Sequence, residues 1–310
     1  MNLKKQISRV IFAIALLGPA ATFLGRWNWI ADLFSHFLPQ SLAILAVWSM
    51  TLIYLNQRQK FIALILVMIF LTLPLLPYFS FVRSSEASSG VISILQSNVY
   101  VYNQNHLKLI NLIAKENPDI VVVEEIDKSW ELDLTCHLSP TYPVIRTIAR
   151  DDGFGIGVFS KVEIEDLRTR AFCKEGIPSI EGKIKKGNSQ ATLLATHPRP
   201  PITGSLWASR NEQLLNLAQE AAANKGSVIL VGDLNTSPWS YWFSRLKSSG
   251  LKDSSFGHGI QNSWAAFFPA FLRIPLDHIL VKGSVGVLER KVLGEVGSDH
   301  FPVLVRLALN

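Results

Sequence analysis

Residues 1–80 carry a single acidic side chain, Asp32, against six basic ones: Lys4, Lys5, Arg9, Arg26, Arg58 and Lys60. Three apolar stretches fill most of this region, at about residues 8–25, 39–55 and 61–82. Each approaches the ~20 apolar residues needed to cross a bilayer. The segment 1–82 is therefore expected to form three N-terminal transmembrane helices. The first stretch contains Gly18 and Pro19 and has the basic start of a cleaved signal peptide. Two further spans follow it, which favours an uncleaved helix. Between the first two stretches, "WNWIADLFSHFLP" is aromatic and weakly charged, as suits the headgroup zone. Lys4, Lys5 and Arg9 precede the first span, and Arg58 and Lys60 lie between the second and third. Arg26 and Arg83 fall on the other side. The positive-inside rule then puts the N-terminus in the cytoplasm and everything after residue 83 outside it. A multi-pass protein of the cell membrane with an extracytoplasmic domain is expected.

This distribution changes the meaning of the charge. A net charge of +6 and a pI near 9.3 invite a nucleic-acid partner. Residues 1–80 hold +5 of that charge, and the remainder has 24 basic and 23 acidic residues. Phosphate-backbone binding draws on clustered Lys and Arg, so the global charge gives no support to a nonspecific nuclease. Cys136 and Cys173 are the only cysteines, and both fall in the exported part. A disulfide is permitted there. The sequence leaves a bridge and two free thiols both open.

"RSSEASSG", residues 83–90, reads as a polar linker. Residues 91–310 are enough for one large core. Apolar runs predict strands at 91–98, 119–126, 154–161, 190–198, 227–235, 276–281 and 301–309. Helical spacing marks 103–118 and 209–226. Helices alternating with strands make this an α/β domain.

The strands meet polar residues at their ends. Asn98 ends the first, Glu124 and Glu125 the second. His197 ends "LLAT", and Asp233 and Asn235 end "VILVG". Asp277 and His278 open their strand, and Ser298, Asp299 and His300 precede the last. A single carboxylate at a strand end is usually a cap or turn residue. Six such stations, of the types needed for metal-assisted hydrolysis, point to one cleft.

"QSN", "PDIVVVEEI", "GIGVFSK", "ATHP", "VGDLN", "LDHIL" and "GSDHFPV" occur in the order found in the endonuclease/exonuclease/phosphatase superfamily, the DNase I-like fold. The chain resembles that superfamily over nearly all of 91–310. The anchor, "THPRPP" and "RIPLDHILV" also resemble a bacterial membrane-anchored subgroup of VanJ-like proteins. The resemblance implies a four-layer α/β sandwich, two packed mixed sheets flanked by helices. It implies one or two divalent ions, Mg²⁺ with Mn²⁺ and Ca²⁺ as alternatives, and in-line attack of water on a phosphoester.

Residue roles carry over as follows. Glu125, Asn98 and Asp299 serve the metal, and Glu124 stands where the family usually has glutamine. Asp233 orients or deprotonates the water, and Asn235 donates to the phosphoryl oxygens. His300 is the base or a phosphate contact, oriented by Asp277. His197 contacts the phosphate or assists the leaving group. Tyr100 stands where some family nucleases carry an acid, which weakens a second metal site on that side.

Other residues have duller readings beside the sharp ones. His278 follows Asp277 and should point to the opposite face as a packing residue. His258 reads as loop, and Arg210 as an ion-pair residue. Arg199 in "THPRPP" could bind phosphate or simply be exposed. "NSWAAFFPAFLRIP", residues 262–275, is either a core-facing loop or an apolar lip beside the site. On the second reading Trp264, Phe268 and Arg273 meet the substrate, and Trp207, Trp239, Tyr241 and Trp242 join the lip.

Three functions compete. The first is a membrane-anchored phosphoesterase acting on a lipid-linked phosphodiester or pyrophosphate, or on a phosphorylated envelope component. The second is a membrane-tethered nuclease. The third is an inactive binding or scaffold protein, which the complete set of polar stations argues against.

Overall fold

The computed structural model describes residue 6, residues 20–80 and residues 90–309. Most of the first expected span and of the 83–90 linker lies outside these described residues. Among the described residues of the N-terminal segment, residues 20–24 are helical and are followed by α1 (Trp29–Ser35), α2 (Leu38–Tyr54) and α3 (Arg58–Thr72), which runs into a 3₁₀ turn, Leu73–Phe79. Arg58–Phe79 is 22 residues and apolar enough to cross a bilayer. α2 alone has 17 residues, and it qualifies only together with α1, from which it is bent by 71°. The described residues thus hold one candidate span, or two if the bent pair counts, where three were expected. The segment read as interfacial folds into α1, whose N-terminus is capped by Asn28 Oδ1 accepting from Ile30 N and Ala31 N.

The rest forms two six-stranded sheets. The first contains β1 (Gly90–Asn98), β2 (Ile120–Glu124), β3 (Val144–Ile148), β4 (Ile156–Ser160), β11 (Val285–Val292) and β12 (Val303–Leu309). Its order is β11-β12-β1-β2-β4-β3. The second contains β5 (Ile164–Ala171), β6 (Pro178–Lys186), β7 (Ser189–Thr196), β8 (Ser227–Asp233), β9 (Lys252–Asp253) and β10 (Asp277–Lys282). Its order is β5-β6-β7-β8-β10-β9. β1–β2 and β7–β8 run parallel, and the other pairs are antiparallel.

Strand periodicity places the core. Ile92 and Ile94 of β1, Ile120 and Val122 of β2, Ile229 and Val231 of β8, and Ile279 and Val281 of β10 meet between the sheets. The intervening residues face outward. Leu95, Val121 and Val123 pack under α4 (His106–Glu116) and α5 (Lys128–Leu138). Leu194, Leu230 and Leu280 pack under α6 (Gly204–Ala223) and α7 (Tyr241–Ser248). Four layers result: helices, sheet, sheet, helices. Strands β3, β5, β6, β9 and β11 and helices α5 and α7 were not expected. β5, for example, alternates mainly between half-buried and exposed positions and carries no continuous apolar run.

The N-terminal helical segment docks onto this sandwich. Asp32, the lone acid of the first 80 residues, is ion-paired with Arg210 of α6, and both are 0% exposed. Asp32 Oδ1 also accepts from Ser240 Oγ at 3.0 Å. Trp239 Nε1 donates to His36 O at 2.9 Å, and Trp242 Nε1 to Gly25 O at 3.3 Å. Trp239 further packs with Leu38, Leu45 and Leu52 in one apolar cluster. At the other end, Gly257 N donates to Pro77 O and Gly259 N to Tyr78 O. Trp239 and Trp242, expected in an exposed lip, instead grip the anchor. Cys136 is exposed and Cys173 buried, and both are free.

Removing one partner of a buried ion pair leaves the other charge uncompensated. Arg210→Met should cost roughly 3–5 kcal/mol of stability, and adding Asp32→Leu should recover much of it. Thermal unfolding of the full chain in detergent, compared across the two variants, checks this.

Candidate active site

The same alternation that builds the core also builds the site. Asn98 continues the inter-sheet face of Ile92 and Ile94, Glu124 that of Ile120 and Val122, and Asp233 that of Ile229 and Val231. Asp277 opens antiparallel β10 directly opposite Asp233, so a strand start and a strand end share one edge. Gly232, at φ 148°, lets the end of β7 come close beside Asp233, because a Cβ there would lie 1.8 Å from Thr196 O. His278, one residue on, faces α7 and stacks on Phe243 at 4.7 Å, as alternation requires.

Glu124 and Glu125 part company. Glu124 is buried between the sheets. Glu125 takes a left-handed conformation, φ 64°, which turns its carboxylate toward the cleft. A non-glycine residue held there costs on the order of 1–3 kcal/mol. Its N–H is fixed by Gly155 O at 2.8 Å.

A chain of hydrogen bonds and close ionic contacts crosses the sandwich. Gln96 Nε2 donates to Glu124 Oε2 at 3.0 Å and to Asp277 Oδ1 at 2.7 Å. Asp277 Oδ2 lies 2.8 Å from His300 Nδ1, the pairing expected from the sequence. A carboxylate only accepts, so Nδ1 carries the proton. His300 Nε2 stands 3.6 Å from Asp233 Oδ2, and His197 Nε2 stands 3.5 Å from that same oxygen. Asn98 Nδ2 donates to Asp233 Oδ2 at 3.1 Å and to Glu125 Oε1 at 2.8 Å. Asn235 N donates to Asp233 Oδ1 at 2.9 Å, and its side chain lies 3.3 Å from His197 Nε2. Ser298 Oγ donates to Asn98 O and accepts from His300 N, so it does more than cap the turn.

These contacts set the charges. Burial alone would lower His300, but the Asp277 and Asp233 carboxylates outweigh it and push the imidazole up to about 10. Burial would raise Asp233, and the His300 charge with the His197 hydrogen bond holds it at about 2. Burial, then the Asp277 charge, drives Glu124 well above the usual carboxylate range. Asp299 is raised by burial, and it feels both Glu125 and Asp233 as like charges.

Asp299 Oδ1 is buried without a hydrogen-bond partner, while Oδ2 accepts from Trp264 Nε1 at 3.1 Å. Three mutually repelling carboxylates with an open buried oxygen fit a hard divalent cation. Asp233, Asp277 and His300 also place ligand atoms within 4.8 Å of one another, but His300 and Asp277 already satisfy each other there.

The cleft encloses about 750 Å³. Its wall includes Glu125, His197, Asp233, Asn235, Asp299 and His300. Arg199 and Trp264 also line it. Arg199 is ion-paired with Glu175 at 2.5 Å and lies over Phe154, which makes it neither plainly exposed nor free. Phe268 and Arg273 do not reach the cleft wall. Arg273 donates to Phe268 O and Ala266 O and covers Phe301, so its guanidinium shapes the lip from within. The lip itself is real: Phe267 and Phe271 are 71% and 74% exposed. Gln96 has a role the sequence did not suggest. It shares a strand face with Asn98, two residues away, and that spacing was the available signal.

Two outcomes follow from these charges. Between pH 6.5 and about 10, folded His300 holds a proton that the unfolded chain has lost. Its contribution is fully present below pH 6.5 and disappears as pH rises toward 10. Stability of the metal-free full chain should therefore fall over that window, and His300→Gln should flatten the fall in a pH series of unfolding midpoints. Glu124→Gln replaces a carboxyl whose charged form is disfavoured by burial and the Asp277 charge, and should change stability by no more than about 1 kcal/mol, checked by the same measurement at pH 7.

The profile of the Endonuclease/Exonuclease/phosphatase family matches residues 95–300. No curated protein matches the chain in sequence. Solved structures of the same fold include humanized D. rerio TDP2, with TM-score 0.60 and 17% identity, covering 70% of this chain and 98% of that one. An endonuclease/exonuclease/phosphatase family protein from Bacteroides thetaiotaomicron has TM-score 0.59 and 19% identity, covering 72% and 99%. D. rerio TDP2 complexed with a single-strand DNA product has TM-score 0.59 and 17% identity, covering 70% and 99%. Likeness at such identities concerns the fold. The profile spans more than half the chain and takes in every polar station from Asn98 to His300, and the chain accordingly belongs to the endonuclease/exonuclease/phosphatase family.

Proposed function

We propose that this protein is a membrane-anchored, divalent-metal-dependent phosphoesterase. It cleaves a phosphodiester or pyrophosphate bond by water attack, outside the cytoplasm, on a lipid-linked or envelope substrate. The observation that carries this reading is the chain from Gln96 through Asp277, His300 and Asp233 to His197, set at one edge of the sandwich in an open cleft. The family hydrolyses phosphate esters. The anchor supplies Leu33 and Phe37 to the same cleft, and Tyr102 and Ile202 are exposed on its rim, which suits an ester with an apolar tail. The resemblance to VanJ-like proteins supports the same pairing of anchor and domain.

Glu125 and Asp299 would hold the metal, with Asn98 fixing Glu125. Mg²⁺ is the first choice, and Mn²⁺ or Ca²⁺ also suit oxygen donors. A bound ion supplies charge neutralisation at the phosphoryl oxygens. The remaining work falls to side chains. Asp233, ionised at any working pH, accepts from the attacking water and orients it. A group held at about 2 is a weak base, so orientation is its larger part. His300, charged at neutral pH, stabilises the phosphoryl oxygens. This favours the phosphate contact over the base among its two expected roles. Asp277 fixes the ring. His197, beside Asn235, faces the leaving group.

The nuclease remains the second reading, because one structural neighbour is described in complex with a single-strand DNA product. The full chain in detergent is to be assayed on phospholipid, undecaprenyl pyrophosphate, plasmid and single-strand DNA, with Mg²⁺ and with EDTA. Hydrolysis of a lipid phosphate that EDTA abolishes is expected. Asp233→Ala and Asp277→Asn should each lower kcat by about 10²–10⁴. Rapid, salt-sensitive cleavage of DNA with lipid left intact would select the nuclease, and equal rates for wild type and Asp233→Ala would refute the mechanism.

A further inference from the structure

One buried polar group in the cleft is unused by this chemistry. His36 belongs to the anchor, is 4% exposed, and lines the same cleft as Asp233 and Asn235. Its Nδ1 accepts from Ser237 N at 3.1 Å and lies 2.9 Å from Ser237 Oγ. A ring nitrogen that accepts from an amide carries no proton. The neutral ring therefore bears its proton on Nε2. That N–H is buried and has no hydrogen-bond partner. Buried donors are almost always paired, and an unpaired one is costly.

The ring is also held firmly. Trp239 Nε1 donates to His36 O at 2.9 Å. Asp32, one turn earlier, is ion-paired with Arg210, whose Nη1 donates to Asn235 O at 2.9 Å. One buried guanidinium thus fixes both the anchor helix and the loop that carries Asn235. A rigid, unpaired donor in the wall of a substrate cleft is completed by an acceptor on the substrate.

We infer that His36 is a substrate-binding residue, donating from Nε2 to a phosphoryl oxygen of the bound ester. This rests on the phosphoesterase reading. Asp32, through Arg210, and Ser237 are its positioning residues. The anchor then contributes directly to substrate recognition.

Two substitutions in the full chain separate binding from folding. His36→Asn keeps an acceptor where Nδ1 stands and removes the distal donor. His36→Gln keeps a donor near the place of Nε2 and loses the acceptor. KM and kcat for bis(4-nitrophenyl) phosphate with Mg²⁺, affinity for inorganic phosphate, and the unfolding midpoint are measured for each. His36→Asn should raise KM and weaken phosphate binding by about 3–10-fold, the effect of one hydrogen bond, with kcat and the midpoint nearly unchanged. His36→Gln should recover part of the phosphate affinity at a lower midpoint. Wild-type KM and phosphate affinity in His36→Asn would overturn the inference. So would a loss that tracks the midpoint and is not recovered by Gln. A wild-type chain that binds phosphate but cleaves no ester refutes the hydrolase reading, while phosphate affinity still judges His36. A wild-type chain that does not bind phosphate overturns the inference outright.

Discussion

The hydrogen bonds from Gln96 join the two sheets at the edge where the cleft opens. Along most of the sandwich the sheets adhere through Ile and Val, and nothing directional is needed. At this edge the apolar faces give out, and Glu124, Asp233 and Asp277 enter the gap instead. Three buried carboxylates would repel one another strongly in such a setting. The amide of Gln96 gives a donor to two of them, burial and the Asp277 charge disfavour the ionised form of Glu124, and the charged His300 stands beside the third. The site is thus a solution to a packing problem as well as a piece of chemistry. Its charges are stable only together, which is why its geometry is so closely specified.

That solution explains what was readable in the sequence. An inter-sheet face alternates, so an apolar strand that ends in Asn98, Glu124 or Asp233 announces on which side the polar group lies. The opposite fate of Asp277 and His278 follows from the same rule. Edge strands were harder: β5 and β11 are half-wet and lack an apolar run. Phe268 and Arg273 precede Asp277 in the chain, but Arg273 turns back onto Phe268 O and Ala266 O and neither residue lines the cleft. Neighbourhood in sequence is a poor guide to which way a lip folds.

Asp32 is the instructive case. A lone acid among 80 largely apolar residues is a visible anomaly, and so is Arg210 on a helix that otherwise packs inward. Arg210 was legible as an ion-pair residue, whereas Asp32 read only as part of an interfacial segment. Their pairing was not, because it spans 178 positions and depends on how α1 lies across α6. Helix α2 follows after a 71° bend and stays in contact with the sandwich, through Leu38, Leu45 and Leu52 on Trp239 and through Gln40 on Arg273 O.

A common practice with proteins of this shape is to discard the hydrophobic leader and express the remaining domain by itself. Here such a cut at the linker would strip the acid from a fully buried guanidinium, and with it the helix on which Trp239 and Trp242 rest. Arg210 also steadies the carbonyl of Asn235. The truncated product would carry a wet, positively charged hole behind its own catalytic loop. Its rates and substrate preferences would describe a damaged enzyme, however well it dissolved.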